Sequence, residues 1–119
     1  MKKAIAYSRT ATREVSVQSD AINHQEIAII DYCKEHSIEL IHLFHDVGSG
    51  MNFERVGWNN LKVYLKESGN EIDFLIVTGH DRISRDKVQA LFKITDLEKK
   101  FDLSVLALSA SPDLKNVML

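Results

Sequence analysis

The chain has 119 residues, of which 45% are apolar and 27% charged, with one proline and five glycines. That is enough apolar surface for one core, and a single domain over residues 1–119 is expected. Fifteen basic against seventeen acidic residues leave a net charge of −2, which excludes a domain that holds nucleic acid by bulk charge. No apolar run approaches the roughly 18 residues of a membrane span, and the N-terminus turns polar at Tyr7-Ser8, too early for a signal peptide. The default compartment is the cytoplasm, with no membrane partner. The lone cysteine, Cys33, excludes an internal disulfide and a cysteine cage and reads as core packing.

Four β-type runs follow one another at the spacing of βα units: Lys3 to Tyr7, Ile38 to Phe44, Ile72 to Thr78 and Leu103 to Leu108. Between the first two, Ile22, Glu26, Ile29, Ile30 and Cys33 share a helical face, with Asp20 as a cap. After the second, Leu61, Tyr64, Leu65 and Ser68 repeat the stripe, and Gly69-Asn70 ends that helix. A third helix is expected from a Ser84 cap, turning Val88, Leu91, Phe92 and Thr95 inward and ending on Lys99 and Lys100, which suit the helix dipole. Strands alternating with helices make an open, mostly parallel α/β sheet of about four to five strands with helices on both faces, Ile72 to Thr78 being central. Ser111-Pro112-Asp113 has the signature of a further helix start. The helix it opens is expected to continue beyond Leu119, the alternative being a short terminal helix.

In open α/β sheets, ligands bind at the carboxyl ends of the strands. All five arginines map there: Arg9 and Arg13 after the first strand, Arg55 after the loop following the second, and Arg82 and Arg85 after the third. The ten lysines lie at the termini and in the helices. Arginine grips phosphate or carboxylate with two hydrogen bonds at once, so this segregation reads as an anion site built from three loops. The alternative is structural ion pairing with Glu54, Asp81 and Asp86. Arg85, placed in the first turn after Ser84 where the helix dipole disfavours a cation, adds weight to the anion reading.

Other candidates are weaker. Asp46-Val47-Gly48-Ser49-Gly50 reads as a flexible loop that is neither a P-loop nor a dinucleotide fingerprint, and no cofactor is expected. His42 and His45, three apart on a strand, point to opposite faces; neither they nor His24, His36 and His80 have metal-ligand spacing, so no metal is expected. Trp58 reads as packing, with a stacking platform as the alternative. A phosphoacceptor domain would want acidic residues where Ser8-Arg9 and Thr78-Gly79 stand.

The series Tyr7-Ser8-Arg9-Thr10-Ala11-Thr12, Gln25, Asp46-Val47-Gly48-Ser49-Gly50 with Arg55, and Asp81-Arg82-Ile83-Ser84-Arg85-Asp86 resembles the catalytic domain of serine site-specific recombinases, the resolvase and invertase family. The likeness runs from Lys3 to Leu108, and the fourteen-residue step from Ala11 to Gln25 is closer to the large serine integrases and transposases. The resemblance implies a flavodoxin-like fold. It also implies DNA strand cleavage and rejoining through a 5′-phosphoserine, on double-stranded DNA, within a dimer or tetramer that this fragment forms weakly or not at all. A dimerisation helix and a DNA-binding domain would follow the catalytic domain. On the same resemblance Arg9, Arg55, Arg82 and Arg85 grip the scissile phosphate, Asp81 orients an arginine or handles a proton, and Tyr7, Gln25 and Asp46 support the site. Arg13 has no counterpart and is assigned a DNA backbone contact.

One departure stands out. The family's motif is Tyr-x-Arg-x-Ser, and its serine position here is Ala11. A methyl group cannot attack phosphorus, so the chain as written is expected to be inactive in cleavage. Ser8 and Thr10 have the wrong strand parity to replace the hydroxyl, while Thr12 and Ser16 lie further along the chain. The alternatives outside catalysis are a recombinase-like assembly or regulatory module and a small-molecule phosphate-binding domain.

Overall fold

The computed structural model describes residues 1–10, 24–48, 55–68 and 71–109. Four strands, β1 (Lys2–Thr10), β2 (Ile38–Val47), β3 (Phe74–Val77) and β4 (Ser104–Ala107), alternate with α1 (His24–Glu35), α2 (Val56–Ser68) and α3 (Lys87–Phe101). They form one parallel sheet of order β2-β1-β3-β4. This is the flavodoxin-like α/β arrangement, in which the strand order reverses between β1 and β3 and opens a crevice at their carboxyl ends.

Side-chain alternation along β1 builds two cores. Ile5 and Tyr7 join Trp58, Leu61, Leu65, Leu75, Val77 and Leu97 on the α2–α3 face. Ala4 and Ala6 face the other way, where their small size lets Ile29 and Cys33 of α1 approach the sheet beside Ile76. Cys33 is a packing residue there, its thiol pKa pushed up by burial. β2 carries a bulge: Ala4 is level with Leu40 but Ile5 with His42, and the extra residue lets Ile41 and Phe44, three apart, both meet the larger core.

Two expectations about α3 are corrected. Its cap is Asp86, whose carboxylate accepts from the Val88 and Gln89 amides; Ser84 instead closes the preceding turn by accepting from the Asp86 amide. Its inward face is Ala90 and Leu97, with Ile94 and Phe101 against the core, while Val88, Leu91 and Phe92 are 62–72% exposed and Thr95 faces solvent too. Both stripes are apolar at helical spacing. The inward one runs to the end of the helix, whereas the outer one ends at Thr95 and gives way to Asp96 and Lys99. The Asp20 cap, Ile22, Gly69-Asn70 and the helix at Ser111-Pro112 lie outside the described residues.

Candidate active site

The strands extend further than their apolar runs, which alters how the site is built. β1 continues to Thr10 and β2 to Val47, so Arg9 and Asp46 stand on strands, level with each other, and Asp46-Val47 is not part of a loop. Asp46 is 6% exposed and takes three hydrogen bonds. Tyr7 OH donates to Oδ2 at 2.6 Å, the Trp58 amide to Oδ2 at 2.9 Å, and the Gly57 amide to Oδ1 at 2.7 Å. Two of these donors are first-turn amides of α2, otherwise unpaired, so the carboxylate ties the helix start to the sheet. Gly57 makes the approach possible, because a Cβ there would stand 2.3 Å from the His45 carbonyl oxygen. Arg55, immediately before α2, is thereby held at the crevice, where its Nη1 donates to the Ile83 carbonyl.

Arg9 is 5% exposed and braces three segments. Its Nε donates to the Arg82 carbonyl at 3.1 Å, Nη2 to the Asp81 carbonyl at 2.7 Å, and Nη1 to the Gly48 carbonyl at 3.1 Å. Gly48 sits at φ 149°, a conformation open to glycine and strained for other residues. Gln25 grips the backbone of Arg9 in both senses, its Oε1 accepting from the Arg9 amide at 3.2 Å and its Nε2 donating to the Arg9 carbonyl at 2.9 Å. Arg82 Nη1 donates to the same carbonyl at 3.2 Å, while its Nε is buried with no partner among the described residues.

Among the described residues, several like charges act on Arg9. Burial first, and then Arg55, with smaller contributions from Arg85 and Arg82, push the Arg9 guanidinium's pKa down, so the other three arginines all lie within electrostatic reach of Arg9. Arg82 and Arg85 form no ion pair among the described residues. Asp86 is committed to its helix cap, and the Asp81 carboxylate stands over Gly79, where an added Cβ would meet it at 2.6 Å. Neither neutralises an arginine, and Glu54 lies outside the described residues. Arg85 comes before the Asp86 cap, not in the first turn after Ser84, so the helix-dipole conflict inferred from sequence is absent. What remains is an exposed arginine beside a cluster of like charge.

The structure thus gathers Arg9, Arg55, Arg82, Arg85 and the Asp81 backbone around the ends of β1 and β3, with Tyr7, Asp46 and Gln25 behind them as supports. Ala11, Arg13, Thr12 and Ser16 lie outside the described residues. Ser8 is on the face away from Arg9, 1% exposed, with Oγ 2.7 Å from His45 Nδ1. His42 is on the other face of β2, stacked on Phe44 and against Tyr64. Trp58 is buried, meeting Tyr7 edge-on at 5.0 Å. A single turn of 3-10 helix at His80–Arg82, Gly57 and the Gly48 conformation escaped the sequence reading. The glycine followed by a helical stripe at 57–61 was the available signal for Gly57.

The family model described as the resolvase N-terminal domain matches residues 4–118. Among solved structures, the N-terminal catalytic domain of TP901-1 integrase superposes with TM-score 0.72 at 22% identity, covering 90% of this chain and 77% of the other. A resolvase family site-specific recombinase from Streptococcus pneumoniae gives 0.73 at 16% identity over 99% and 83%. The C-terminal catalytic domain of ISC1926 TnpA, an IS607-like serine recombinase, gives 0.73 at 16% over 98% and 77%. No curated protein matches the sequence. No helix among the described residues is long and apolar enough to cross a membrane. With the family model spanning nearly the whole chain and the flavodoxin-like sheet shared with these structures, the chain belongs to the resolvase N-terminal domain family, the catalytic domain of serine recombinases.

Proposed function

We propose that this chain is a site-specific recombinase catalytic domain that engages the phosphodiester backbone of double-stranded DNA and, with Ala11 at the serine position, does not cut it. The observation that carries the reading is the buried Nε of Arg82, without a partner among the described residues, set among Arg9, Arg55 and Arg85 at the crevice between β1 and β3. A donor buried without a partner costs stability unless an acceptor such as an anion arrives, and cations gathered at one crevice favour that anion. A phosphodiester supplies that anion. It gains charge on reaching its five-coordinate transition state, where fixed arginines act most strongly. In this arrangement Arg82, Arg85 and Arg55 hold the phosphate, and Arg9 fixes the backbone that carries Arg82. Asp46 and Tyr7 fix Arg55 through the start of α2, and Gln25 locks the end of β1. Asp81 lends its carbonyl to Arg9, and on this reading its carboxylate handles a proton. Arg13 serves as a backbone contact.

The test is an NMR titration of the arginine side chains with a short duplex. Joint, saturable responses of Arg9, Arg55, Arg82 and Arg85, lost in Arg82→Ala/Arg85→Ala, are expected. Independent or absent responses overturn the reading, and tighter binding of a free nucleotide than of the duplex favours a small-molecule phosphate site. In a chain carrying a DNA-binding part, Ala11→Ser is then expected to form a covalent adduct with its target duplex that the alanine form does not.

A second reading, an assembly module, is favoured by the exposed Val88, Leu91 and Phe92 on α3. An apolar stripe of this kind suits a second copy of the chain, since an antiparallel α3 pair centred between Leu91 and Phe92 sets Lys87 opposite Asp96 on both sides. Self-association that persists in Arg82→Ala/Arg85→Ala would support it.

A further inference from the structure

Lys93 lies on α3, half-buried, with its Nζ 5.8 Å from the centre of the Trp58 ring. The indole is itself buried and leans on Tyr7, so Lys93 closes the seam between α2 and α3 beside the arginine cluster. For packing alone, a leucine or methionine would cover Trp58 as well without burying a charge. Arg55 and Lys62 fall three residues before and four after Trp58 on the same helical face, so three cations converge on this seam. Among the described residues no carboxylate pairs with Lys93, and the charged groups that act on it are Arg55 and Lys62, both cations. Burial, followed by those two neighbours, pushes its pKa down. A cation–π contact offsets part of this cost, and an anion entering the seam would offset more of it.

We infer that Lys93, with Lys62 and Arg55 beside it, forms a second phosphate subsite in the α2–α3 seam, taking the phosphodiester next to the one at Arg82 on the same nucleic-acid strand. The inference rests on the reading of the arginine cluster as a DNA phosphate site. The seam begins at Arg55, which the Asp46 clamp places at the crevice, so the strand would leave the arginines and run along Lys93 and Lys62. Lysine suits this place because a compact ammonium on a flexible stem follows a backbone phosphate without demanding the two-point geometry that arginine imposes.

The experiment uses the chain as it stands, measuring affinity for a fluorescent duplex over a range of salt for wild type, Lys93→Met, Lys93→Arg and Arg82→Ala/Arg85→Ala. The pKa of Lys93 is followed by NMR with and without duplex or inorganic phosphate. Methionine keeps the cover over Trp58, so Lys93→Met should remain folded with an unfolding temperature no lower than wild type. It should lower the slope of log affinity against log salt by about one and weaken binding roughly three- to tenfold at low salt. Lys93→Arg should restore both, and duplex should raise the Lys93 pKa. Wild-type affinity and slope in Lys93→Met, alongside lost binding in Arg82→Ala/Arg85→Ala, would refute the subsite and leave the arginine site standing. Binding unaffected in Arg82→Ala/Arg85→Ala but lost in Lys93→Met would refute the arginine site instead, and a wild-type chain that binds no duplex would refute both. A Lys93 signal that saturates with inorganic phosphate yet ignores duplex would assign a free anion and overturn the strand path.

Discussion

Tyr7 OH donates to Asp46 Oδ2 at 2.6 Å, and through that bond the central strand holds the start of the helix that positions Arg55. Asp46 is surrounded by donors only, two of them backbone amides of α2. In Asp46→Asn, one acceptor oxygen becomes an NH2 group facing donors that cannot all turn away. The loss expected is about 1–3 kcal/mol of stability, read as a lower urea midpoint. Duplex affinity should fall as well, since Arg55 loses its anchor; a variant as stable as wild type would show that the clamp is incidental.

Gly57 tests the same clamp from the other side. Alanine is the better helix former by about 1 kcal/mol, so on propensity alone Gly57→Ala stabilises. The added Cβ, however, meets the His45 carbonyl oxygen at 2.3 Å and its carbon at 2.9 Å, both backbone atoms that cannot swing aside. Displacing α2 should reverse the sign and destabilise by about 1–3 kcal/mol, with a thermal melt giving the answer.

Alkaline pH addresses Tyr7 directly. Burial, and then the hydrogen bond to Asp46, raise its folded pKa well above the ordinary tyrosine value. A raised folded pKa means that the folded state holds its proton more tightly than the unfolded chain. The stability so gained is complete below about pH 10, the unfolded value, and is lost as pH climbs from there toward the folded one. Lys93 acts in the opposite sense: its lowered pKa costs stability at neutral pH, a cost that begins to fade as pH rises through the folded value and is gone above about pH 10.4, the unfolded one. The comparison of wild type with Tyr7→Phe isolates the tyrosine: the drop in urea midpoint between about pH 9 and 11 should be shallower in the variant.

The sheet and the placement of Arg9, Arg55, Arg82 and Arg85 at strand ends were legible in the sequence because apolar periodicity and strand-end chemistry are local signals. Ser8 likewise faces away from Arg9, as strand parity requires. What was not legible depends on contacts distant in sequence. β1 and β2 run past their apolar cores because Arg9 and Asp46 find partners across the crevice, at Asp81 and Arg82 for one and at Gly57 and Trp58 for the other. Polar residues at those positions look like loop until those partners are known. The cap of α3 is a choice between Ser84 and Asp86, two good caps two residues apart, and the turn at His80–Arg82 decides it by placing the Ser84 hydroxyl on the Asp86 amide.

The choice between the two apolar stripes of α3 yields the sharpest stability contrast in the molecule. Leu97 is 1% exposed and Phe92 72%, although phenylalanine is the larger and more apolar side chain, and composition alone would place it inside. Leu97→Ala empties part of the core formed with Ile5, Leu65 and Val77 and should cost about 2–5 kcal/mol. Phe92→Ser removes a side chain that meets water already, and its effect should stay within about 0.5 kcal/mol. Urea unfolding of the two variants at low protein concentration checks both numbers. Repeating the Phe92→Ser measurement at high concentration separates the lone fold from association: if copies of the chain pair through Val88, Leu91 and Phe92, wild type gains stability with concentration and the variant does not.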